Sequence, residues 1–266
     1  MEKRETMEKL LTYSHVDICY NGKMAAEDIS FSLNKGEILG IVGESGSGKS
    51  TIIRAALGIL GQGGMVTRGD IWFQDMDLPD LPEKEMRKIR GKRIGMIFQD
   101  AKASLCPIRT VGSQIRECLA AHGPVTRAEA EKRALELFER LGFPDGERIL
   151  KSYPYQLSGG MNQRVGIAAA MLMNPDILLA DEPTSALDVL VQKQVVEELL
   201  MLRKLYGTAM ILVTHDLAVV EAMADRILVL KDGRMAEYGT VEEIFQEPRE
   251  AYTRELLEAV PRLGRK

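Results

Sequence analysis

Apolar residues come in short blocks along this chain, and several blocks stop at a glycine, a serine or an acid. Ile38-Leu39-Gly40-Ile41-Val42 is one such block, closed by a glycine-rich loop. That is the pattern of a buried strand feeding a helix. Residues 94–98, 176–180 and 209–214 read as further buried strands. Residues 10–37 read as short strands turning at Asn21-Gly22, a hairpin signal. Residues 1–9 are charged and predict a frayed start. From 100 to 158 the pattern becomes helical, as in an inserted subdomain. There, Thr126-x-x-Glu129 is a capping box that opens a helix through Leu135, Phe138 and Leu141, and Gly142 stops it. Helices are expected near 160–173 and 188–205, then a hairpin of 227–230 and 234–238 around Asp232-Gly233. Thr240-x-x-Glu243 caps a short final helix. Strands alternating with helices predict an α/β fold whose mostly parallel sheet is covered on both faces. No internal repeat or low-complexity linker interrupts it.

The loop after residues 38–42 carries chemistry. Gly43-Glu44-Ser45-Gly46-Ser47-Gly48-Lys49-Ser50 matches the Walker A spacing in full. Glycines let the backbone wrap a phosphate so that successive N–H groups point inward. A helix starting near Lys49 aims the positive end of its dipole at the same anion. Lys49 adds a point charge for the β- and γ-phosphates, and Ser50 offers a hydroxyl to Mg²⁺. A chance match of this kind arises in about one chain in a hundred of this length, and the flanking strand and helix make chance a poorer account still.

Downstream, Ile177-Leu178-Leu179-Ala180-Asp181-Glu182 is an apolar strand ending in two acids. Side chains at a strand's carboxyl end face a ligand crevice. Asp181 is placed to hold Mg²⁺ through its water shell, and Glu182 to polarise an attacking water. Alone, such a pair is as readily an acidic loop, because Asp-Glu after a strand is common. The phosphate loop upstream favours the chemical reading.

Bulk properties set limits. The chain has 266 residues, enough for one large α/β domain or two small ones. It is 45% hydrophobic and 28% charged, as ordinary globular proteins are. A net charge of −4 gives no reason to expect nucleic acid. Cys19, Cys106 and Cys118 form no CxxC pair, which argues against a disulfide framework or zinc site and fits a reducing cytoplasm. No apolar run approaches the roughly 18–20 residues needed to span a bilayer. Met1-Glu2-Lys3-Arg4-Glu5 is too charged for a signal peptide. The expectation is a chain soluble by itself, with any membrane role reached through a partner.

Between the loop and the acidic strand lies Leu157-Ser158-Gly159-Gly160-Met161-Asn162-Gln163-Arg164. A serine and two glycines at a helix start form a second anion site. One chain with two half-sites for one nucleotide suggests two subunits, head to tail, each completing the other's site.

The three motifs in this order resemble the ATP-binding-cassette (ABC) ATPase family, and the likeness runs from about residue 10 to 260. It implies a P-loop NTPase (RecA-like) core over 10–99 and 159–240, with an antiparallel β-subdomain. An inserted helical subdomain at 100–158 and a short helical tail at 241–266 complete it. ATP and Mg²⁺ are the implied ligands. The resemblance extends the nucleotide contacts to Gly43, Ser45, Gly46, Gly48, Lys49, Ser50 and Thr51, with Tyr20 stacking on adenine. Tyr13 lies near Tyr20, and an aromatic there also fits core packing. Gln99 becomes the glutamine that senses γ-phosphate, joins Ser50 and Asp181 at the metal and links to the helical subdomain. His215 becomes the switch histidine, and Ser158, Gly159 and Gly160 cap the ATP of the other subunit. Ser185-Ala186-Leu187-Asp188 resembles the D-loop crossing that interface.

Residues 86–99, Ile149-Leu150-Lys151-Ser152-Tyr153-Pro154 and Ala251-Tyr252-Thr253-Arg254-Glu255-Leu256-Leu257 resemble the peptide/nickel importer branch and its D-type ATPase. The expectation is an ATPase at the cytoplasmic face of the membrane. Its implied partners are two permease subunits, a second ATPase chain that is a paralogue rather than a copy, and, indirectly, a solute-binding protein. Asp100-Ala101-Lys102-Ala103-Ser104-Leu105-Cys106-Pro107 departs from the Glu-Pro and Asn-Pro usual after that glutamine, which alters the expected fit to the permease. Ending at Lys266, the chain lacks the cysteine-bearing extension of longer members, so no iron–sulfur cluster is expected. Its short tail leans toward nickel or metal-chelate members. The rival reading, a non-transport ABC ATPase of DNA repair or translation, goes with long coiled-coil insertions or paired cassettes, and this sequence has neither. A P-loop kinase or GTPase would leave the 157–164 motif unused.

Overall fold

The computed structural model describes residues 8–185 and 187–259. Two compact units make up the chain, one of Met1–Met86 with Ala209–Lys266 and one of Arg87–Thr208.

The first unit opens with β1 (Lys9–Tyr20) and β2 (Lys23–Asn34). They are joined at Asn21-Gly22, whose φ values of 49° and 79° are those of a tight hairpin turn. Each strand has 12 residues, longer than the short strands expected. Register shifts at bulges bend the pair, and these breaks made the pattern look like several short strands. The unit continues with β3 (Ile38–Val42), α1 (Lys49–Ala56), β4 (Gly64–Phe73) and β5 (Met76–Asp77). The antiparallel sheet runs β2-β1-β4-β5. β4 was not anticipated, because only Ile71 and Phe73 are buried and the exposed pair Thr67-Arg68 breaks its alternation.

α2 (Glu83–Ile89) leads into the second unit. It holds β6 (Ile94–Ile97), α3 (Ala101–Ser104), α4 (Val111–Ala120), α5 (Arg127–Arg140), α6 (Gly146–Lys151), α7 (Gly159–Met171), β7 (Ile177–Asp181) and α8 (Val189–Tyr206). The capping box of α5 is fully made: Thr126 accepts from Glu129 N, and Glu129 accepts from Thr126 N. β6 and β7 are parallel, and every residue of β7 is buried. That burial explains an unbroken apolar run in place of alternation.

The chain then returns to the first unit through β8 (Ala209–Val213), α9 (Leu217–Met223), β9 (Arg226–Lys231), β10 (Arg234–Thr240), α10 (Val241–Gln246) and α11 (Ala251–Glu258). There the order is β10-β9-β3-β8, with β3 parallel to both neighbours. Gly40 lets α9 sit close, since a Cβ on it would lie 2.7 Å from Val220 Cγ1. The capping box at Thr240 and Glu243 opens α10 as expected, but α11 follows, so α10 is not the last helix. Residues 1–7, the expected frayed start, and 260–266, the end of the expected tail, lie outside the described residues.

Candidate active site

In the first unit, β3 delivers the chain to the glycine-rich loop and α1 takes it away. Gly43 has φ of 149°, and a Cβ there would lie 2.1 Å from the Leu230 carbonyl oxygen, so the position admits only glycine. Gly48 is the N-cap of α1 at φ 96°, and no side chain caps the helix. The first N–H groups of α1 thus have no side-chain cap, the arrangement that receives an anion. Glu44, Ser45 and Gly46 are exposed, while Ser47 is buried with a hydroxyl that has no hydrogen-bond partner. The Lys49 ammonium donates to the carbonyls of Gly43 at 2.8 Å and Glu44 at 2.6 Å. Ser50 and Thr51, the next residues of α1, are half-buried.

His215 leaves the same edge of the sheet. β8 lies beside β3 in parallel, with Val213 opposite Ile41. Thr214, fully buried, donates its N–H to Ile41 O at 3.2 Å and accepts from Asp216 N at 3.0 Å. Asp216 in turn caps α9 through Ala218 N and Val219 N. His215 is the exposed residue between these two anchors. Tyr20 ends β1 half-buried, its ring edge close to the backbone of Gly64. Tyr13 is core: its hydroxyl donates to Ile52 O at 2.7 Å, and its ring stacks on Phe31 at 4.4 Å.

In the second unit, β7 ends at Asp181, which has no exposed surface. Glu182 follows, buried, with φ of 50°. A non-glycine residue in this left-handed region is uncommon and marks a functional turn more often than chance. Ile97 pairs with Ala180, so Gln99, exposed just beyond β6, leaves the same edge as the two acids. Ser158 caps α7 by accepting from Met161 N at 3.2 Å, yet Ser158 and Gly159 stay exposed. A Cβ on Gly160 would lie 2.6 Å from Val191 Cγ1, so the start of α7 packs on the start of α8. Ser185 bonds back to Glu182 O, and Asp188 caps α8 through Leu190 N and Val191 N. Ala186, in the expected D-loop, lies outside the described residues.

The profile of the ABC transporter family matches residues 26–185. This chain belongs to that family. The oligopeptide transport ATP-binding protein OppD of Bacillus subtilis (strain 168) is 48% identical over 246 residues, 92% of this chain and 69% of OppD. The dipeptide transport ATP-binding protein DppD of the same organism is 45% identical over 262 residues, 97% of this chain and 78% of DppD. A solved dimer of the ATP-binding cassette MJ0796, in a post-hydrolysis state with ADP and Pi, is similar with a TM-score of 0.76 and 32% identity. That match covers 87% of this chain and 98% of the MJ0796 chain. CbiO1 from Clostridium perfringens, part of the transporter complex cbiONQ, matches with a TM-score of 0.78 and 28% identity over 96% of this chain and 97% of its own. The fold is therefore that of an ABC ATPase, a P-loop NTPase cassette that binds and hydrolyses ATP.

Within this ABC ATPase, sequence reasoning passed over the groups that hold the 157–164 motif in place. The Asn162 amide donates to the carbonyls of Pro154 at 3.0 Å, Leu157 at 3.3 Å and Ser158 at 3.2 Å. Arg164 is buried against Glu198 of α8 and lies over the Phe143 ring at 4.2 Å. Burial pushes the Glu198 carboxyl above its usual range, and Arg164 offsets part of that. The sequence did hold a signal: a charged residue inside an otherwise apolar and small-residue helix must find a buried partner.

Proposed function

We propose that this ABC ATPase powers the import of di- or oligopeptides, working at the inner surface of a membrane with two permease subunits and a second ATPase chain. The observation that carries the cargo class is the 45–48% identity, over more than nine-tenths of the chain, to relatives named for oligopeptide and dipeptide transport. The lean toward nickel rested on the short tail alone, and neither relative is named for it. No described helix is long and apolar enough to cross a membrane, so attachment goes through the permeases.

Each half-site has a part. Gly43, Ser45, Gly46, Gly48 and Ser50 of the loop and of the start of α1, with Lys49 and Thr51, bind the phosphates, and Tyr20 stacks on the base. Lys49 must exchange its two carbonyl partners for phosphate oxygens, a favourable swap of neutral acceptors for charged ones. Glu182 holds the attacking water and takes up its proton, while Gln99 and His215 orient the γ-phosphate end. Ser50, Gln99 and Asp181 would hold Mg²⁺. The set is all oxygen, the kind a hard cation takes, and no cluster of three His, Cys, Asp or Glu among the described residues competes for a softer metal. Bound there, the ion would neutralise charge on the β- and γ-phosphates. Residues 100–158 act as the helical subdomain within a frame of 10–99 and 159–240.

Ser158, Gly159 and Gly160 cap the nucleotide of the other ATPase chain. The exposure of Ser158 and Gly159 leaves this helix start open to a facing subunit. Val189 and Leu190, each 81% exposed at the start of α8, add an apolar pair suited to a subunit interface. ATP then closes the pair by binding the closed state more tightly, and hydrolysis releases it.

The test is purification of the tagged chain from gently solubilised native membranes, followed by uptake in vesicles rebuilt from what co-purifies. Two polytopic permeases, a second ATPase and ATP-dependent uptake of labelled di- or oligopeptides support the reading. Recovery with ribosomes or DNA-repair proteins, or uptake of nickel in place of peptide, overturns it.

A further inference from the structure

The last described helix reaches back to the phosphate loop. In α11, Tyr252, Thr253 and Leu257 are buried against the first unit. The Tyr252 hydroxyl accepts the N–H of Glu44 at 3.2 Å, across 208 positions of sequence. Lys231 places its ammonium 4.5 Å from the centre of the Tyr252 ring. Lys231 follows Leu230, the residue whose carbonyl leaves no room for a Cβ at Gly43. The start of α11 is anchored separately, because the Glu237 carboxylate accepts from Arg249 N at 2.8 Å and Glu250 N at 3.2 Å.

The Glu44 peptide is thus held from both sides. Its N–H goes to Tyr252, and the Glu44 carbonyl accepts from Lys49 at 2.6 Å and from Ser47 N at 3.2 Å. Glu44, Ser45 and Gly46 are exposed, and Gly46 has open space around it, so little else restrains this end of the loop. Without the phenol, the Glu44 N–H turns to water and the loop gains freedom that ATP binding must then remove. We propose that Tyr252 is a positioning residue for ATP, through which α11 holds the phosphate loop in its binding shape. The inference rests on the phosphate-binding role proposed for Gly43–Ser50. Burial keeps the Tyr252 phenol protonated beyond its ordinary range, so a neutral hydroxyl serves as acceptor throughout physiological pH.

Tyr252→Phe in the full chain tests this, since it keeps the ring beneath Lys231 and removes only the hydroxyl. The readouts are Kd for a fluorescent ATP analogue with Mg²⁺, KM and kcat, and the Tm without nucleotide. Losing one hydrogen bond should raise Kd and KM by about three- to tenfold, with kcat at saturation and Tm unchanged. Leu257→Ala removes packing from the same helix but no loop contact, and should lower Tm while leaving Kd within about twofold. An unchanged Kd for Tyr252→Phe, or an equal rise in Kd for Leu257→Ala, overturns the proposal. Lys49→Ala separates the two levels. If it loses ATP while Tyr252→Phe does not, only the Tyr252 role fails. If Lys49→Ala binds ATP normally, the reading of the loop itself fails.

Discussion

Arg164 Nε donates to Glu198 Oε1 at 2.6 Å, and the two side chains are only 5% and 6% exposed. The pair ties α7, which begins with the exposed Ser158, to α8, which begins with Asp188. Arg164 also donates to the Leu141 carbonyl, so the guanidinium is satisfied by a charge, a carbonyl and the Phe143 ring. Removing one partner leaves the other charge buried without compensation. Arg164→Met should cost about 3–5 kcal/mol of stability, and Arg164→Met with Glu198→Leu should recover most of it. Urea denaturation of the single and double variants measures this. Equal stability of the two variants would show that Glu198 left without Arg164 carries no burial penalty.

Glu182 follows a fully buried strand and holds a left-handed backbone. Glu182→Gln keeps the shape and removes the proton acceptor. Turnover should drop by about 10²-fold or more while ATP affinity is kept. With ATP, the variant should elute as a stable dimer of ATPase chains. Normal hydrolysis by this variant would remove Glu182 from its role.

Ser158 is exposed at the first turn of α7, and its hydroxyl caps that helix. Ser158→Arg puts a bulky cation where the facing subunit's nucleotide would lie. The isolated chain should bind ATP as before, and the assembled pair should lose hydrolysis. Nucleotide titration and steady-state turnover separate the two effects. Full turnover would exclude capping in trans.

Glu129 and Glu243 close matching capping boxes, and each is held below the usual glutamate range, first by the backbone N–H of Thr126 or Thr240 and then by its hydroxyl. A carboxyl lowered on folding stabilises the protein above its unfolded value, and that contribution is lost as pH falls through the folded value. The Tm should therefore fall on acidification from about pH 7 to about pH 3, and less steeply in the Glu129→Gln, Glu243→Gln variant. Thermal melts across this range check the slope. Parallel curves would show that the boxes do not titrate with folding.

The motifs were legible because each is contiguous and its geometry is local. Gly43, Gly48 and Lys49 fold as the backbone rules for a strand, a loop and a helix start require, and Thr126 and Glu129 bond across three residues. β4 was missed because only Ile71 and Phe73 at its end are buried and the Thr67-Arg68 pair breaks its alternation, and Tyr13 is core because Phe31 and Ile52 lie beside it.

By itself, then, the sequence determined the glycine-rich loop, the acidic strand end, the capped helices and the membership of the ABC family, all set by near neighbours along the chain. Tertiary structure alone decided which distant groups support them. Arg164 finds Glu198 across 34 positions, and Glu44 finds Tyr252 across 208. Such pairings arise when packed helices and strands bring together residues that no spacing rule relates. Burial then makes each contact costly to lose, because a buried polar group without its partner has no water to replace it.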